Sequence, residues 1–188
     1  MRALLTVAAA AAALNLLWSA AGQSRPSSRT AAPSRLIGVG GVGGLPLRTS
    51  FKDAVYRFGR AGGGSPRERY VLGGCSVRFP KIGLLLWYAG DPLAEGTLTG
   101  CDYFSEAVAT GAGWHTRNGL TIGDSTARLL RLFPHAYDTR HLGPKTAPQG
   151  SVEWDITITC CGGGERPALS VMVKRRRVVA FRVAMVGH

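Results

Sequence analysis

The chain lacks the spacings that metal centres need. It has four cysteines and four histidines, but no Cys-x-x-Cys pair. No histidine lies near a cysteine in sequence, and His115, His135, His141 and His188 share no ligand spacing. No metal or other cofactor is therefore expected. Acidic residues are also scarce, 11 against 23 Lys and Arg, for a net charge of +12. Such a balance attracts anionic surfaces, so cell-wall polymers, lipid headgroups and acidic proteins are candidate partners. Apart from Lys174-Arg175-Arg176-Arg177 the arginines are scattered. No aromatic residues interleave with a basic stripe, so the positive balance reads as a compositional bias toward arginine, and no nucleic acid cofactor is expected.

What is present begins with an export signal. Met1-Arg2 leads into the apolar run Ala3 to Leu17, and Ser19-Ala20-Ala21 supplies the small residues that signal peptidase requires. Residues 1–21 read as a signal peptide cleaved near Gly22, giving a secreted protein with no stable membrane span after cleavage. The competing reading is an uncleaved membrane anchor, because the run approaches the ~20 residues that span a bilayer. No Cys follows the run, which excludes a lipid-modified N-terminus. Residues 22–37 are a linker, since Gly22 to Arg35 has no apolar periodicity. About 150 residues then remain to build a core.

Gly44 to Gly59 aligns without a gap on Gly119 to Pro134, 75 residues later (119 − 44). Each stretch reads as a short strand, a polar cap, an amphipathic helix and a Gly or Pro stop. Leu45 and Leu47 form the first strand. Thr49 or Ser50 caps a helix carrying Phe51, Ala54, Val55 and Phe58. Tyr70 to Phe79 and Ile82 to Ala89 make a hairpin turning at Pro80-Lys81, with Leu84 to Tyr88 covered on both faces. In the second unit Leu120 and Ile122 form the strand and Asp124 or Ser125 the cap, with Leu129, Leu130, Leu132 and Phe133 inward. Strands follow at Val152 to Thr159, Ala168 to Val173 and Val178 to Val183, the last two joined around Arg175-Arg176. The expected class is α+β, with two tandem repeats at 38–112 and 113–188, each a short strand and helix packed on an antiparallel sheet.

Four cysteines in an exported chain are expected to be oxidised. Cys75 and Cys101 flank the apolar hairpin and form the preferred disulfide. Cys160 and Cys161 are adjacent, and their Cα atoms, about 3.8 Å apart, lie closer than disulfides usually allow. They form a vicinal bridge or stay free. The alternative threads Cys75 and Cys101 to this pair, but neighbouring strand residues point to opposite faces.

Three chemical motifs fail on context. Gly38 to Gly43 matches a dinucleotide fingerprint, yet a linker precedes it and a strand with Pro46 follows, so it reads as a flexible glycine entry. Gly123-Asp124-Ser125 with Asp138-Thr139-Arg140-His141 resembles the blocks of the Gly-Asp-Ser hydrolases. However, Thr126 to Tyr137 holds no Gly or Asn, and Ser125 aligns with Ser50, where no catalytic partners exist. Helix capping accounts for both serines. Glu153 and Asp155 flank Trp154 and project to the strand face opposite its ring, which suits a solvated outer face better than glycosidic acid–base work.

The paired units, with Gly119-Leu120-Thr121-Ile122-Gly123-Asp124-Ser125 entering a helix and then a hairpin, resemble the beta-lactamase inhibitory protein class. They are also similar to the small outer-membrane assembly lipoproteins. The likeness covers roughly Gly38 to Val186, and the ending Arg177 to Val183 is similar to a group of secreted actinobacterial proteins. It implies a protein that binds its partner across a concave sheet with aromatic side chains. The expected function is a secreted, non-catalytic binding module for a protein or cell-envelope partner. Trp87, Tyr88, Trp114, Trp154, Arg175 and Arg176 are its candidate contact residues. A small serine hydrolase using Ser125 and His141, or a polyanion binder using Lys174 to Arg177, are the alternatives.

Overall fold

The computed structural model describes residues 34–59, 67–71, 74–90, 100–139, 148–157 and 166–186. The expected signal peptide, His141, His188, Cys160 and Cys161 lie outside these residues. Among the described residues, no helix is long and apolar enough to cross a membrane.

Strands dominate. A small antiparallel sheet, β1 (Ile37–Gly38), β2 (Gly41–Val42) and β3 (Leu45–Pro46), leads into helix α1 (Phe51–Phe58). Four strands follow: β4 (Arg67–Val71), β5 (Gly74–Phe79), β6 (Leu84–Ala89) and β7 (Tyr103–Ala109). Helix α2 (Thr126–Leu132) precedes β8 (Tyr137–Asp138), β9 (Val152–Asp155), β10 (Arg166–Lys174) and β11 (Arg177–Val186). The last eight strands form one antiparallel sheet in the order β4-β5-β6-β7-β11-β10-β9-β8. The α+β expectation is therefore corrected to a mostly β protein with two short helices. Each helix is about two turns long and buries one stripe, whereas β7 pairs with β11 and fuses the strands into a single layer.

Local chemistry explains the helices. Ser50 starts α1, its Oγ accepting from the Asp53 backbone N–H at 3.2 Å. Phe51, Ala54 and Phe58 then fall on one buried face. Ser125 starts α2 in the same way, accepting from Arg128 N–H at 3.2 Å. Asp124 closes the turn before this helix instead of capping it. Its carboxylate accepts from Thr121 N–H at 2.8 Å and pairs with Arg128 at 3.1 Å. Only Leu129 of α2 is fully buried, and Leu130, expected inward, is exposed.

The glycine-rich entry is not the flexible segment expected. It folds into β1 to β3, and Ile37 is a core residue. At Gly43 (φ 62°) a Cβ would sit 2.6 Å from the Phe58 ring, so the turn must be glycine to seat beside α1. The stretch Tyr70 to Phe79, read as one strand, is the end of β4 plus β5. The turn between β5 and β6 is a 3-10 turn at Pro80–Ile82 closed by Gly83 in the left-handed region. Leu120 and Ile122 lie outside any strand; only an isolated bridge at Thr121 marks that segment.

Alternation along the strands sorts the sheet into two faces. One face packs with both helices into the main core: Val77, Phe79, Leu84, Leu86, Ala107, Val171, Phe181 and Val183 lie there with Phe51, Phe58 and Leu129. Cys75, on this face, is bonded to Cys101 across a Cα separation of 5.5 Å, as expected. The other face carries only a minor apolar cluster of Val108, Met172 and Ala180, flanked by Leu85 and Val179.

Candidate binding face

Hydrogen-bond register places a continuous row across all eight strands on the face away from the helices. It runs Arg67, Arg78, Leu85, Val108, Arg182, Ser170, Asp155, Tyr137. A second row lies two residues along: Arg69, Ser76, Trp87, Glu106, Ala184, Ala168. The face is thus polarised. Exposed cations occupy the β4–β5 end, Leu85 and Val108 and then Arg182 and Ser170 the middle, and a carboxylate with a phenol the β8–β9 end.

Near its centre three strands converge on Arg182. Its Nε lies 3.1 Å from Glu106 Oε1, and a terminal nitrogen lies 3.2 Å from Glu153 Oε1. The Glu153 side chain is only 5% exposed. Two carboxylates thus share one guanidinium, whose charge offsets part of the cost of holding Glu153 away from water. Glu153 and Asp155 do project away from Trp154, as alternation predicts. Both are engaged: Glu153 by Arg182, and Asp155 by the Thr157 N–H at 2.9 Å and the Tyr137 hydroxyl at 3.2 Å. The Asp155 charge, with smaller contributions from burial and this hydrogen bond, holds the Tyr137 phenol above its ordinary pKa.

The candidate contact residues scatter. Trp87 lies on the helix-free face, half-buried, and its indole N–H finds no acceptor among the described residues. Tyr88 points the other way. It is 3% exposed, stacks edge-on against Phe51 and Phe104, and donates to Thr49 O at 3.1 Å. Burial first, and the Asp53 charge second, push its pKa up to about 12. Trp114 is fully buried, its indole N–H donating to Ile82 O at 2.7 Å. Trp154 packs half-buried against the main core. Tyr88 and Trp114 are thus core residues and not surface anchors, because each ring fills the layer between helices and sheet.

Arg175 and Arg176 sit exposed at the β10–β11 tip, at φ 51° and 62°. They are not beside Trp87. Ala184, in the Trp87 row, lies seven positions along β11 from Arg177, roughly 23 Å at about 3.3 Å per residue.

Ser125 Oγ is occupied by its capping bond, and an isolated bridge ties its backbone to Arg177. Among the described residues no group of three or more His, Cys, Asp or Glu could hold a metal ion. Sequence reasoning missed Arg67, Arg69, Arg78, Glu106 and Arg182. The signal was there in part: Arg67-x-Arg69 alternates, and Arg182 interrupts an apolar strand. Only cross-strand register shows that they share a face. Searches against protein-family profiles, curated proteins and solved structures find no match to this chain.

Proposed function

We propose that the chain is a secreted, non-catalytic binding module that meets a protein partner with the helix-free face of its large sheet. The observation that carries this reading is the polarised row from Arg67 to Tyr137. Both helices pack on the opposite face; on this one the ends of the row, Arg67, Arg78 and Tyr137, are exposed, while Val108 and Ser170 between them are buried. A sheet serving only as structure gains little from placing two exposed arginines at one end of a register line and an exposed phenol beside a carboxylate at the other. Trp87, in the adjacent row, supplies the large aromatic surface that interfaces favour at their centres. The protein-inhibitor-like use of a sheet surface, implied by the resemblance of Gly119 to Ser125 and its helix, belongs to the same reading. Secretion fits the Cys75–Cys101 disulfide, which oxidising compartments preserve.

Site-specific photocrosslinking tests the proposal. A benzophenone side chain replaces Trp87 in one variant and Tyr56 in another, Tyr56 being an exposed residue of α1 on the helix-bearing side. After irradiation in envelope and culture extracts of the source cells, a protein adduct is expected from position 87 and none from position 56. Equal labelling from both positions, or no adduct from either, refutes the reading.

A further inference from the structure

At the β4–β5 end of this face, like charges stand together. Arg67 and Arg78 are direct cross-strand partners, and Arg69 lies on the same face two residues along β4. All three are exposed. Like charges placed directly opposite each other destabilise a sheet. The side-chain ion pairs of Arg128 and Arg182 do not involve these three arginines. Glu68 sits between Arg67 and Arg69 in sequence, but alternation sends it to the other face, where it lines a groove with Phe51 and Val55. Charge on an outermost strand commonly blocks edge-to-edge aggregation, which accounts for Arg67 and Arg69. It does not account for Arg78, which is on the interior strand β5.

Arg67 and Arg78 border a groove of about 430 Å³ whose other walls include Pro80, Leu85, Val108 and Pro148. Paired guanidinium groups offer forked donors matched to a carboxylate. The apolar floor beside them is useless to a carbohydrate polyanion but suits an aliphatic side chain. A groove of this size has room for one or two such groups.

We infer that this groove recognises an acidic segment of a protein partner. One carboxylate bridges Arg67 and Arg78, and a neighbouring apolar side chain rests on Leu85 and Val108. The inference rests on the binding-face reading above and names the chemistry at one end of that face. Arg69 adds long-range attraction, so recognition weakens as salt rises.

The test uses the full chain and a fluorescein-labelled alternating Asp-Leu octapeptide, read by anisotropy. Binding is expected to weaken several-fold between about 50 and about 200 mM NaCl. Arg78→Ser is expected to weaken it about tenfold, the effect of losing a charge-assisted fork. Leu85→Ser is expected to weaken it several-fold, while Arg175→Asn with Arg176→Gly leaves it unchanged. Circular dichroism melts establish that each variant folds; if Arg78→Ser does not, Arg78→Lys, which keeps charge without the fork, is expected to weaken binding at least threefold.

Four outcomes overturn the inference. They are no binding at about 1 mM peptide, equal affinity for an Asp-Ser octapeptide, tighter binding of a heparin octasaccharide than of the Asp-Leu peptide, or an unaffected Arg78 variant. If crosslinking from position 87 succeeds while the peptide fails, the binding face stands and the acidic-segment assignment falls. If both fail, both fall.

Discussion

The β10–β11 tip offers a stability prediction that can be worked from backbone geometry. Lys174 pairs with Arg177, so Arg175 and Arg176 form a two-residue hairpin loop, with φ of 51° and 62°. Both angles belong to the mirror-image turn that suits strand twist and favours Asn-Gly. An ordinary side chain in this region costs roughly 1–2 kcal/mol through contact with the following carbonyl. The geometry persists because the surroundings hold it: Thr126 N–H donates to Arg176 O at 3.0 Å, and Val178 N–H to Asp124 O at 2.8 Å. These are backbone bonds and survive side-chain replacement. The double variant Arg175→Asn/Arg176→Gly relieves most of the strain. Glycine returns roughly 0.5–1 kcal/mol of this as entropy lost on folding. The net gain is about 1 kcal/mol, raising Tm by about 2–4 °C in a chain of this size. Urea titration should show a higher midpoint at unchanged slope. A midpoint that stays put or falls refutes the strain argument and means that the two arginines make stabilising contacts.

Three further outcomes are expected. Tyr88 has its pKa raised to about 12, so it holds its proton more tightly folded than unfolded. Its contribution is complete below pH ~10 and is lost as pH rises towards ~12, a fall of about 2–3 kcal/mol that Tyr88→Phe should abolish in alkaline urea titrations. Arg182→Leu leaves Glu106 and the nearly buried Glu153 without their cation, and should cost about 3–5 kcal/mol. Replacing all three residues by leucine should recover most of that loss in the same denaturation assay, and a single variant as stable as wild type would contradict the account. Cys75→Ser/Cys101→Ser removes a link with a sequence separation of 26 residues, and should cost about 3.5 kcal/mol on the chain-entropy model, measured against the oxidised protein in urea.

Sequence determined the features set by near neighbours. Capping needs one side chain within three residues of its target, so both helix starts were legible, although Thr49 competed with Ser50 for the first and Asp124 with Ser125 for the second. The Cys75–Cys101 link followed from hairpin spacing. The Arg175-Arg176 tip followed from two apolar runs meeting at a charged break. Alternation placed Glu153 and Asp155 opposite Trp154. Aromatic exposure was not legible, since Trp87 and Tyr88 are adjacent in one strand and differ only in which face the helices cover.

The tertiary structure decided what depends on partners distant in the chain. The 75-residue periodicity suggested separate helix-and-sheet units, but pairing of β7 with β11 joins their strands into one mostly β layer. A repeat in sequence reports local propensity and is silent about which strand ends will bond. Arg67, Arg78, Leu85, Val108, Arg182, Ser170, Asp155 and Tyr137 form a line only through seven inter-strand registers. Register is a collective choice that buries the apolar face of every strand at once, and no short window of sequence contains it.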